Sequence, residues 1–139
     1  MTIWTNPLSI DQANAMLANT ICEVLAIEIT DIGEDYVAGT MPVDKRTHQP
    51  FGILHGGASV VLAESLGSIA ANLACESGFV CVGLDINANH IRSVRSGLVT
   101  GVAKAVHIGR STQVWEIRIA DDDDKTVCVS RLTMAVIAK

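Results

Sequence analysis

The sequence predicts an α+β domain in which one long helix packs against a predominantly antiparallel sheet. A helical periodicity runs through the middle of the chain, where Leu62, Leu66, Ile69 and Leu73 recur every three or four residues. Around it lie stretches rich in β-branched residues, giving the order β-β-α-β-β-β-β after a short N-terminal helix. One helix is enough to cover one face of a sheet this size, which places the chain among α+β rather than α/β folds.

The elements follow in order. Ser9 can cap a helix, with Gln12 three residues on to return the bond, a capping box that opens a segment through about Ala18. Val24 to Thr30 and Tyr36 to Val43 read as two strands joined by the turn Ile32-Gly33-Glu34-Asp35. After the long helix, Val80 to Asn89, Gly97 to His107, Thr112 to Ala120 and Thr126 to Ala138 read as four more. The acidic run Asp121 to Asp124, with Lys125, suits a solvated hairpin tip because like charges repel in compact arrangements. A calcium loop is the sharper alternative, but the run lacks the glycine and terminal acid of an EF-hand.

The length of 139 residues suits one domain, 1–139, and 49% hydrophobic composition is ample for its core. Positive mean hydropathy, with only 18% charged residues, implies apolar surface buried between subunits. No apolar run is read as approaching the ~20 residues that span a bilayer. The N-terminus lacks a basic segment followed by a hydrophobic one, so a cytoplasmic protein is expected. The net charge of −5 argues against nucleic acid as a partner. Cys22, Cys75, Cys81 and Cys128 show no C-x-x-C spacing and lie in apolar company, as core thiols do, so neither a zinc site nor a disulfide framework is expected.

The chemistry concentrates between His48 and Ser68. Glu64 sits within an otherwise apolar helix, and a buried carboxylate needs hydrogen-bonding partners or a chemical task. Glu64, Ser68 and Asn72 recur every fourth residue as a polar stripe. His55-Gly56-Gly57 introduces the helix. Glycines there let the backbone approach a ligand, and the first N–H groups, at the positive end of the helix dipole, suit an oxygen gaining negative charge. His55 could add a side-chain donor. Each residue has a plainer reading: Glu64 on a solvated face, His55 as a satisfied loop residue, Gln49 as a turn residue, Ser68 as a packing hydroxyl. His48 reads as solvated.

The run from Gln49 through Ser68, with Gly83-Leu84-Asp85-Ile86-Asn87-Ala88-Asn89-His90 and Gln113-Val114-Trp115, closely resembles the hotdog-fold acyl-CoA thioesterases. Within them it is most similar to the branch acting on aromatic acyl thioesters, which includes 1,4-dihydroxy-2-naphthoyl-CoA thioesterase and a proofreading thioesterase for aroyl carrier proteins. The resemblance spans nearly the whole chain, and the acid is Glu rather than the Asp of the phenylacetyl-CoA branch. It implies a hotdog fold, a sheet wrapped around one central helix, in a homodimer often paired into a homotetramer. It implies hydrolysis of an acyl-CoA, with 1,4-dihydroxy-2-naphthoyl-CoA of menaquinone biosynthesis leading and no metal or organic cofactor. Gly56 and His55 would bind the thioester oxygen, and Glu64 would attack the carbonyl carbon or take a proton from water. Gln49 would orient the attacked group or the water, and Ser68 could donate to the carboxylate or the acyl ring. Coenzyme A would be held by two segments, His90-Ile91-Arg92-Ser93 and His107-Ile108-Gly109-Arg110-Ser111-Thr112, with Gly83 allowing close passage of the pantetheine arm. Arg95 is read as a surface residue. The alternatives are a proofreading hydrolase acting on an acyl carrier protein and a non-catalytic acyl-CoA binder.

Overall fold

The computed structural model describes residues 1–139. Two short helices, α1 (Ile10–Ala15) and α2 (Ile21–Val24), precede strands β1 (Glu28–Ile32) and β2 (Tyr36–Pro42). The long helix α3 (Gly56–Ala74) follows, then β3 (Phe79–His90), β4 (Leu98–Ile108), β5 (Thr112–Ala120) and β6 (Thr126–Ala138). The six strands form one sheet in the order β1-β2-β4-β5-β6-β3, antiparallel throughout, and α3 packs across one face, touching β2 to β6. This is the hotdog arrangement expected from the sequence.

The N-terminal expectations need correction. The capping box at Ser9 forms with both hydrogen bonds, but α1 ends at Ala15 rather than Ala18 as the chain turns toward Asn19, which has φ 62°. Val24 closes α2 instead of opening a strand. The Thr20 hydroxyl accepts the Cys22 N–H at 3.1 Å and donates to the Leu17 carbonyl at 2.6 Å, and this local capping outweighs the β-propensity of the residues after it. The strand therefore starts at Glu28, beyond Ala26 (φ 55°), and Ile32 belongs to it rather than to the turn.

Leu62, Leu66 and Leu73 of α3 are fully or nearly fully buried against Trp115, Ile117, Leu132 and Met134, whereas Ile69 is only partly covered. Buried Gln113 accepts the Trp115 indole N–H at 2.8 Å and donates to the Ala71 carbonyl, so that stretch of the family pattern is structural. The four cysteines are free and buried, as expected. The acidic run forms the β5–β6 hairpin tip, in which Asp121 Oδ1 accepts the N–H groups of Asp123 and Lys125, each at 2.9 Å. One expectation about apolar runs is also corrected: α3, with 19 residues, is long and apolar enough by length and composition to cross a membrane. Its apolarity is that of a core helix, since ten of its residues are buried beneath the sheet.

The register fixes which residues can meet. His90 pairs with Cys128 at one end of the sheet, while Phe79 pairs with Ala138 at the other, beside the β4–β5 turn where Thr112 pairs with Ala135.

Candidate active site

The loop between β2 and α3 is pinned at its base. Asp44 accepts from the Arg46 backbone and guanidinium, which holds its carboxyl down at about 2. The buried Thr47 hydroxyl donates to the Pro42 carbonyl at 2.8 Å, and the Thr47 carbonyl accepts the His55 N–H at 2.8 Å. Within the loop, Gln49 makes a turn: its carbonyl accepts from Gly52 at 2.9 Å and its side-chain oxygen accepts the Phe51 N–H. His48 is half-buried rather than solvated, its ring Nε2 2.9 Å from the Arg95 carbonyl.

His55 is the N-cap of α3. Its Nδ1 accepts the Gly57 N–H at 2.7 Å, so in the neutral ring the proton resides on Nε2, which remains available as a donor. The Gly57 amide is thereby occupied, and the Gly56 N–H is the unbonded one. Gly56 also lies under the ring of His90: a Cβ there would sit 2.7 Å from His90 Nε2, so a side chain at 56 would displace the imidazole. Gln49, Gly56, Ser59, His90, Ile91, Arg92 and Ser93 line one cavity of about 320 Å³.

Glu64 lies elsewhere. It is half-buried rather than buried, and its carboxylate has neither an ion pair nor a hydrogen bond within the chain. With Ser65, Ser68 and Ile69 it lines a separate groove of about 320 Å³, walled by Met16, Leu17 and Ile21. Ser68 lines this groove without donating to Glu64. Asn72, the third member of the stripe, is turned onto β3, where it bonds the backbone of Cys81. Gly83 is not free for a passing ligand on this side, because a Cβ there would lie 2.6 Å from Glu64 Oε2. Met16 and Ile21, both more than half exposed beside the carboxylate, were not singled out from sequence, where nothing distinguishes them from the other apolar residues of the N-terminal segment.

Two sets of expected residues do not meet within one chain. Gly56 and Glu64 are eight residues apart on α3, or about 12 Å along the axis at the helical rise. Likewise His90 to Ser93 and His107 to Thr112 stand at opposite ends of the sheet. Ile108, Gly109 and Arg110 line a third cavity, of about 430 Å³, with Cys75 and Phe79. The cause is topological: β3 and β4 run from opposite ends, so their C-terminal ends point apart. Arg95 is exposed, as expected.

A helix-borne carboxylate, an unbonded helix N-terminal amide and a hotdog sheet together define a class. The family model of the thioesterase superfamily matches residues 51–128, and the chain belongs to that family. It is 50% identical to the 1,4-dihydroxy-2-naphthoyl-CoA hydrolase of Escherichia coli, over 97% of this chain and 99% of that one. It is 48% identical to the proofreading thioesterase EntH of Cronobacter turicensis, over 97% and 98%. The crystal structure of a thioesterase from Haemophilus influenzae superposes with a TM-score of 0.96 at 50% identity, covering 99% of this chain and 96% of that one. The protein is a hotdog-fold thioester hydrolase.

Proposed function

We propose that this thioesterase hydrolyses aromatic acyl-CoA thioesters, 1,4-dihydroxy-2-naphthoyl-CoA first among them, at a site built by two copies of the chain. The observation that carries the reading is that the Gly56 amide and Glu64 line separate cavities, from backbone positions about 12 Å apart along α3. An oxyanion donor lies about 3 Å from the carbonyl oxygen and a nucleophile about 3 to 3.5 Å from its carbon, so one carbonyl cannot reach both groups of one chain. The loop of one copy therefore faces the helix of the other.

In that site the thioester oxygen accepts from the Gly56 N–H and the His55 Nε2–H, which stabilise it as the carbonyl carbon becomes tetrahedral. Glu64 of the facing copy supplies the attacking oxygen, forming a mixed anhydride that water then hydrolyses, or takes the proton of a water that attacks directly. On either route the C–S bond breaks and the departing thiolate gains a proton. Gln49 orients the acyl group or the water. Antiparallel pairing of two copies along the open edge of β3 would set His90 to Ser93 beside the partner's His107 to Thr112 end, where Arg92 and Arg110 suit the phosphates of coenzyme A. The groove of Met16, Ile21, Ser68 and Ile69 suits a flat acyl ring. A cytoplasmic location and a further pairing into a tetramer accompany this reading.

The identity to EntH favours a second reading, hydrolysis of an aroyl group carried on a protein; faster turnover of the carrier-linked thioester than of its CoA counterpart would select it. The test of the chemistry is Glu64→Gln across aromatic and aliphatic acyl-CoAs. Turnover falls by at least about 10²-fold, the loss expected when acid–base help is removed, with substrate binding retained. Near wild-type turnover on every thioester would overturn the assignment of Glu64.

A further inference from the structure

We infer that Asn72 is a positioning residue for Glu64: its side-chain amide stands in for a neighbouring strand on the open edge of β3 and so keeps Gly83 against the carboxylate. The inference rests on the reading of Glu64 as the reacting acid.

β3 is an edge strand. In its ladder with β6, Cys81 stands opposite Val136, whose N–H is bonded on the far side to the Ser111 carbonyl at 3.0 Å. The Cys81–Val136 pair is thus a non-hydrogen-bonded one, and the Cys81 N–H and C=O face off the edge of the sheet. Such groups otherwise meet water or a further strand. Here Asn72 Oδ1 accepts the Cys81 N–H at 2.9 Å and Asn72 Nδ2 donates to the Cys81 carbonyl at 3.1 Å, the two bonds that a paired strand residue would make. The same Nδ2 donates to the Ser68 carbonyl one turn back on α3 at 2.9 Å, which fixes the side chain in that pose.

Two residues past this clamp lies Gly83, against Glu64 Oε2. Immediately beyond it the ladder to β6 is interrupted, the register shifting between Gly83 and Asp85. A bulge loosens pairing where it occurs, so the strand beside the carboxylate is held less firmly by its own sheet than elsewhere. The Asn72 clamp ties this stretch to the helix that carries Glu64. Without it, β3 can draw away from α3, and the carboxylate gains room to leave its reactive pose.

The test combines kinetics with amide exchange in the intact protein. In Asn72→Ala, kcat on benzoyl-CoA falls about 10- to 100-fold, as a displacement of about 1 Å would cause, while KM stays within about twofold. The Cys81 amide, protected from hydrogen exchange in the native protein, becomes fast-exchanging. The control is Ile119→Val, a buried change on β5 that lowers the melting temperature but leaves kcat unaltered. Unchanged kcat in Asn72→Ala despite lost Cys81 protection overturns the inference, as does a kcat loss that follows melting temperature equally in both variants. Should Asn72→Ala not fold, Asn72→Leu, which keeps the bulk of the side chain but makes neither bond to Cys81, is judged by the same criteria. Glu64→Gln separates the two readings: if it retains activity the reading of the acid has failed, and if it is inactive while Asn72→Ala is not, only the positioning role has.

Discussion

Mixing two inactive variants tests whether the site is shared. His55→Ala removes a donor at the N-cap of α3, and Glu64→Ala removes the carboxylate nine residues on. At about 1.5 Å per residue these backbone positions stand about 13 Å apart in one chain, whereas a single carbonyl bridges about 6 Å between donor and nucleophile. If each site takes its loop from one copy and its helix from the other, either variant alone carries two damaged sites. A mixed dimer carries one site with both defects and one site with both groups intact. Random pairing makes half of the dimers mixed, each with half of its sites working, so refolding equal amounts together restores about a quarter of the wild-type rate. The assay is thioester hydrolysis after joint refolding, with chain exchange verified by mass-labelled subunits. Verified exchange without recovery would refute the shared site and require a rearrangement of α3 to bring the two groups together.

Three further outcomes follow from the geometry. Arg92→Ala and Arg110→Ala raise KM for an acyl-CoA more than they lower kcat, with the larger effect at low salt, and leave a truncated thioester without the nucleotide unaffected; equal losses on both substrates would make these arginines structural. Gly83→Ala puts a methyl 2.6 Å from Glu64 Oε2, and because the carboxylate is the free end of a flexible side chain it swings away. The melting temperature is then retained while kcat drops about 10-fold or more, and wild-type kcat would show that the pose of Glu64 is unimportant. Burial, and then the neighbouring Cys75 thiol, push the Cys81 thiol up to about 12, so native Cys81 resists alkylation at pH 8. An unfolded thiol ionises near 9, so the folded state binds the extra proton between the two values, and stability declines as pH rises from about 9 toward 12. Rapid native labelling of Cys81, or a Cys81→Ala variant with the same alkaline decline, would contradict this.

The long helix and the last four strands were legible because their periodicities extend over many residues, and tertiary packing rewards the faces those periodicities define. α2 was not, since a single hydroxyl at Thr20 captures the backbone locally and the β-branched residues beside it carry no trace of that bond. Glu64 was recognisable as unusual, but its exposure was not. Its apolar neighbours Leu62 and Leu66 face the sheet, while Glu64 itself lies beside edge strand β3 and lines a groove with α2 and the turn before it, a direction set by where β3 lies rather than by α3. The segments His90–Ser93 and His107–Thr112 read from sequence as one coenzyme-binding set. Their placement at opposite ends depends on the strand order β5-β6-β3, which no local pattern encodes. Asn72 was visible as a member of the polar stripe, yet its partner is a backbone group that is available only because β3 is an edge.

The half-exposed state of Glu64 has a consequence on the two-copy reading. Alone, the chain leaves this carboxylate in partial contact with water and without a fixed partner. A second loop closing over it would remove water while bringing the Gly56 amide and His55 within reach of the same carbonyl. The desolvation cost of the acid is then met by association along β3, where Val82 and Leu84 are exposed in the single chain. On that reading assembly and activation become one event, since no chain holds a complete site before it pairs. If Glu64 and the Gly56 amide are the reacting groups of a shared site, the length of α3 between them is what makes one chain insufficient.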